Sequence, residues 1–79
     1  MKLSIYSLKK VLFQASADLL YCKTTTGEIT VLDKHEPLIS VLASGVIRVV
    51  DSEKKEHYFD IKSGFLEVRH GSEVRCLVD

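Results

Sequence analysis

No run in this 79-residue sequence approaches the roughly 18 consecutive apolar residues that a membrane-spanning helix requires. Its start, Met1-Lys2-Leu3-Ser4-Ile5-Tyr6, lacks the continuous apolar stretch and small-residue cleavage site of a secretory signal. A soluble domain that stays in the cytosol is therefore expected. An excess of one charge is also missing: 11 Lys and Arg balance 11 Asp and Glu. Nucleic-acid binding draws most of its affinity from basic groups that neutralise phosphates. Here the lysines are interleaved with acids, as in Asp51-Ser52-Glu53-Lys54-Lys55-Glu56, which reads as a solvated turn. The six aromatics do not cluster with Arg or Lys as a base-stacking face demands. Phe13, Phe59 and Phe65 read as core, and no nucleic-acid partner is expected.

Cysteine is scarce. Cys22 and Cys76 share no CxxC spacing, and His35, His57 and His70 form no paired pattern with them, whereas a structural zinc normally takes four ligands. Both lie in apolar runs and read as small buried residues of a reducing compartment. No GxSxG elbow, HExxH pair or phosphate-cradling glycine loop occurs, and the four glycines all fall at expected turns. In Asp33-Lys34-His35-Glu36 a histidine beside carboxylates could act as a base. Adjacent residues of an extended segment point to opposite sides, however, and no nucleophile–base–orienter set forms. The expectation is a non-enzyme without cofactor or metal.

What is present is alternation. Leu3 and Ile5 flank Ser4, Ile29 and Val31 flank Thr30, Phe59 and Ile61 flank Asp60, and Leu66 and Val68 flank Glu67. Val74, Cys76 and Val78 continue the pattern, with Leu77 facing outward. A period of two means strands with one buried face. Turn signals separate them at Thr26-Gly27, Ser44-Gly45, Asp51 to Lys54, Ser63-Gly64 and Gly71-Ser72. The composition, 46% apolar and 28% charged, is that of one globular domain spanning 1–79. The fold class is all-β, an antiparallel sandwich or barrel of short strands. Phe13, Ile29, Val31, Leu38, Phe59, Ile61, Leu66, Val68 and Cys76 are the expected core.

Two stretches are less regular. Leu8 to Leu20 reads as a turn at Ser7 to Lys10 followed by a hairpin through Gln14-Ala15-Ser16. Pro37 lacks the amide hydrogen of a central strand, so it starts the run Leu38 to Leu42 or lies on an edge. A single core in fewer than roughly 80 residues seldom supplies more than about 3–5 kcal/mol, which suggests added stability from a partner.

The segment Gly27-Glu28-Ile29-Thr30-Val31-Leu32-Asp33-Lys34-His35-Glu36-Pro37-Leu38 closely resembles a signature of the ε subunits of F-type ATP synthases. Leu3 to Ser7 and Phe13 resemble that family's first strand and the start of its second hairpin. Gly45-Val46-Ile47-Arg48-Val49 and Ser63-Gly64-Phe65-Leu66-Glu67-Val68, then Gly71 and Val74, resemble its later strands. Asp33-Lys34 stands where the family often has Pro-Gly or Pro-Asn, and Ala15 where it commonly has glycine. Ala15 fits if its φ is negative.

The resemblance implies a flattened antiparallel β sandwich of eight to ten short strands. It implies a non-catalytic central-stalk subunit that links the γ subunit to the c ring and couples ion flow to ATP synthesis. Thr26, Gly27 and Glu28 would face the c ring, and Ser7, His35 and Ser40 the γ subunit. The implied location is peripheral, on the cytoplasmic face of the bacterial cell membrane. Longer members continue into a C-terminal helical hairpin that brakes rotation or senses ATP. This chain is read as a short form without it, monomeric in isolation. The other function class considered is a stand-alone β-sandwich adaptor that binds a protein or peptide along a sheet edge.

Overall fold

Eight strands follow from the alternation in the computed structural model, which describes all residues from Met1 to Asp79. They are β1 (Lys2–Tyr6), β2 (Val11–Thr24), β3 (Gly27–Leu32), β4 (Leu38–Leu42), β5 (Gly45–Asp51), β6 (Glu56–Ile61), β7 (Gly64–Arg69) and β8 (Glu73–Val78). There is no helix, hence none long and apolar enough to cross a membrane. The five expected turn signals fall between strands; Lys54 and Ser72 take positive φ within them, as does Lys34 in a further turn after β3.

The strand order is β1-β8-β7-β4-β2-β5-β6, with β3 and β1 also paired to β2. One layer is β4-β7-β8-β1 with the first half of β2. The other is β3, the second half of β2, β5 and β6. β2 belongs to both: Val11 to Ser16 pair with β1, and Leu19 to Thr24 pair with β3. On its opposite side β5 pairs with Ala17 to Tyr21, and a bulge at Asp18 turns the strand between layers. Lys54 ion-pairs with the Asp18 carboxylate at this corner. The domain measures 26 × 23 × 19 Å.

This geometry corrects the expected hairpin at Gln14-Ala15-Ser16. These residues are exposed and polar or small, which mimics a turn, yet they stay extended and pair with Ser4, Leu3 and Lys2. The fold is also not wholly antiparallel, because β1 and β8 run parallel. Ala15 has no positive φ, as its replacement of a glycine requires.

The core holds fifteen buried apolar side chains, contributed by all eight strands. Leu20 sits at its centre, opposite Val31 on one side and Val49 on the other. Full burial of such side chains is worth roughly 1.5–3 kcal/mol each. Of the expected core, Val31, Ile61, Leu66, Val68 and Cys76 are buried. Phe13, Ile29, Leu38 and Phe59 are only partly buried and pack on its margin, where Phe13 meets Phe59 edge-on at 6.2 Å. Phe65 is a plain correction: it is 55% exposed. Strand parity explains it, since Leu66 and Val68 claim the inner face of β7. Burial pushes the Cys22 thiol up to about 11 and that of Cys76 to about 12, so both are protonated at neutral pH and poor nucleophiles.

Candidate interaction surface

The β2–β3 turn carries Thr26, Gly27 and Glu28. Thr24, the one buried polar residue, organises it. Its hydroxyl donates to the Gly27 carbonyl at 2.7 Å and accepts from the Thr26 amide at 3.2 Å. Gly27 has φ +134°, a conformation that a side chain would strain. Glu28 is exposed and accepts a 2.6 Å bond from the Tyr21 hydroxyl, and this bond raises the pKa of Tyr21.

Ser7, His35 and Ser40 do not converge. Ser7 closes the β1–β2 turn: its amide donates to the Lys10 carbonyl at 2.9 Å, and its hydroxyl accepts from the amides of Lys9 and Lys10. His35 lies in the β3–β4 loop, with Nδ1 2.8 Å from the Glu36 carbonyl. It lines an open cleft with Lys34, Arg69 and His70. Ser40 is on β4 and lines a different cleft, together with Thr26, Gly27 and Glu28. One residue assigned to the γ side thus adjoins the three assigned to the c ring.

A further surface emerges only from the register. Val41 pairs with Phe65, Phe65 with Leu77, Leu77 with Tyr6, and Tyr6 with Val11. These five residues form one row across β4, β7, β8, β1 and β2 on the outer face of the first layer. Val41, Phe65, Leu77 and Val11 are 42–57% exposed, and the neighbouring Ile39 is 77% exposed. The adjacent row starts at Ile39 on β4 and is polar beyond it: Ile39 opposes Glu67, Glu67 opposes Arg75, and Arg75 opposes Ser4. A contiguous apolar stripe with a polar border is the anatomy of a docking face. Sequence reading missed it, although Leu77 and the two-sided apolar run Leu38 to Leu42 were its local traces.

The opposite face, on β2, β5 and β6, is bound up in its own hydrogen bonds. Arg48 Nε donates to Glu56 at 2.8 Å, and the Tyr58 hydroxyl donates to the same carboxylate at 2.7 Å. The Tyr58 and Arg48 bonds hold the Glu56 carboxyl below its usual range. At the end of that layer His57 Nε2 lies 2.8 Å from Asp51 and edge-on to Phe13 at 5.0 Å.

The body is a two-layered β-sandwich domain that presents an apolar stripe with a polar border and an ordered turn. The chain belongs to the family described as the β-sandwich domain of the ATP synthase delta/epsilon chain, which it matches over residues 1–79. It is 36% identical to the ATP synthase epsilon chain of Hydrogenovibrio crunogenus over 69 residues, 87% of this chain and 47% of that one. It is 37% identical to that of Shouchella clausii over 68 residues, 86% of this chain and 50% of that one. The chain thus spans about half the length of the curated relatives it matches. Its fold is shared with a chain of the Euglena gracilis mitochondrial ATP synthase (OSCP/F1/c-ring), with TM-score 0.92 and 24% identity over 99% of this chain and 49% of that one. A chain of the Tetrahymena thermophila mitochondrial ATP synthase central stalk and c ring has TM-score 0.81 and 15% identity over 99% of this chain and 62% of that one.

Proposed function

We propose that this chain is the β domain of a non-catalytic rotor subunit of an F-type ATP synthase. It links the γ subunit to the c ring and lies peripherally on the cytoplasmic face of a bacterial membrane. Family membership supports the assembly, and the apolar row of Val41, Phe65, Leu77, Tyr6 and Val11 carries the reading. That row docks γ, with Ser7 next to Tyr6 at its edge, and His35 and Ser40 meet γ at separate points. The turn of Thr26, Gly27 and Glu28 meets the polar loops of the c ring. A packed core deforms little, so torque entering at one surface leaves at the other.

Coexpression with the cognate γ subunit and c ring tests the proposal. Stable co-purification is expected, and Glu28→Lys weakens retention on the ring while γ binding persists. His35→Ala weakens γ binding by a smaller amount, as exposed polar contacts contribute only about 0–1 kcal/mol. Absence of any complex with the cognate γ would favour the adaptor reading.

A further inference from the structure

Beside the apolar row, the outer face of the first layer carries a square of charge. Glu67 and Arg69 on β7 stand opposite Arg75 and Glu73 on β8, so the signs alternate both along and across the strands. Within the chain Arg69 lies 3.2 Å from Glu73 and 3.9 Å from Glu67, and Arg75 lies 3.6 Å from Glu73. The four side chains are still 41–47% exposed, so each keeps donors or acceptors for a second partner. The face is not flat: a hollow of about 340 Å³ lies between Tyr6, Ile39, Phe65 and Leu77, with Glu67 and Arg75 at its rim.

An alternating square of this kind is complementary to itself. A two-fold axis that lies in the face and runs along the strands, midway between β7 and β8, brings each β7 position over the β8 position with which it pairs. Glu67 then meets Arg75 of the second copy, and Arg69 meets Glu73. On the apolar row Phe65 meets Leu77, and one strand further out Val41 meets Tyr6. Other positions of the axis lose this match. On β7 it sets Glu67 against Glu67, and on β8 it sets Arg75 against Arg75, and like charges brought together are repelled. One step further out it sets Glu67 against Ile39 or Arg75 against Ser4. An axis along the apolar row leaves Glu67 over the Ser63 end of β7.

We propose that this face is a contact between two copies of the chain, stacked about a two-fold axis between β7 and β8. Sheets pack face to face about 10 Å apart with strand directions within about 30° of each other. The axis therefore departs from the strands by about half that angle, and the pairs beside it stay opposed. The apolar row supplies the attraction, and the charges fix the register. An isologous contact needs such self-complementarity. Phe65 of each copy, facing Leu77 of the other, fills the hollow there. The face contributes fewer than half of the roughly 20–30 residues a side of a standard interface, so the dimer is weak. The monomer expected for the isolated domain is its dilute form. This contact is a property of the free chain and stands whether or not γ uses the same row.

Sedimentation equilibrium of the chain from about 20 μM to about 2 mM reads the association, with a dissociation constant of about 0.1–1 mM expected. Glu67→Arg and Arg75→Glu each place like charges across the axis and weaken the dimer by at least about tenfold, with unchanged far-ultraviolet spectra. Mixed in equal amounts, the two variants associate again, because each of these charges on one copy then meets its opposite on the other. Pairs inside a chain cannot produce that recovery, since mixing leaves them as they are. Should a variant misfold, amide resonances of the unsubstituted chain decide alone: those of β7 and β8 shift with concentration, and those of β5 and β6 do not. A monomer throughout the range overturns the proposal. So does a dimer that survives Glu67→Arg, a mixture that stays as monomeric as its components, or concentration shifts confined to β5 and β6.

Discussion

Replacing Phe65 with threonine separates docking from folding. Phe65 is 55% exposed at the middle of the apolar row. An aromatic side chain presents about 200 Å² in all, so about 110 Å² remains to be covered by a partner. At about 25 cal/mol per Å² this is about 2.7 kcal/mol of binding, or close to a hundredfold in the dissociation constant. The remaining 90 Å² or so is already covered, and its loss costs about 2 kcal/mol of fold stability. A domain of this length holds about 4–12 kcal/mol, so the variant stays folded at 25 °C. Calorimetric titration against the cognate γ subunit measures the first quantity and thermal melting by circular dichroism the second. Tyr58→Thr, on the opposite face and 61% exposed, is the control and leaves γ affinity within about threefold. A folded Phe65→Thr variant that binds γ as tightly as the original would refute the assignment of this row.

Gly64→Ala is expected to destabilise by about 3 kcal/mol, because the added Cβ would lie 2.4 Å from the Leu77 carbonyl oxygen and 3.1 Å from Val78 Cα; thermal melting reads it. Lys34→Gly relieves a residue held at φ +64° and raises stability by about 0.5 kcal/mol after the greater chain entropy of glycine, visible as a higher Tm. The Asp51 carboxyl is held below its ordinary value of 3.8, first by its bond to His57 and then by the Lys55 and Glu53 amides. Its contribution is therefore complete above that value and lost as the pH falls through Asp51's own lower pKa, so Asp51→Asn flattens the acid limb of a stability–pH curve.

Parity made most of the strands legible. In β7 and β8 alternate residues point inward without exception, so Leu66, Val68 and Cys76 could be placed in the core from local pattern alone. β2 resisted because Gln14, Ala15 and Ser16 are exposed on a strand that is crossing between layers, where neither face has a core to meet. The ordinary correspondence between polarity and turn fails at such a crossing. Phe65 was misread because its size suggests burial, whereas its position in the alternation dictates exposure. The Ser7 to Lys10 turn was readable, since serine bonding to amides two and three residues on is a local property. The apolar row was not. It exists only when five registers align, and no window of one sequence contains that information. The same holds for the cleft shared by Ser40 and the β2–β3 turn.

The passage of β2 through both layers bears on how the domain carries load. Two stacked sheets joined only by side-chain packing can slip past each other like cards in a deck. Here a continuous run of peptide bonds, Val11 to Thr24, is hydrogen-bonded into each sheet in turn. Slip between layers must break ladder bonds on at least one of them. Opening of either sheet at β2 pulls on a strand that the other sheet shares, so a twisting force on one layer reaches the other through the backbone as well as through side-chain packing.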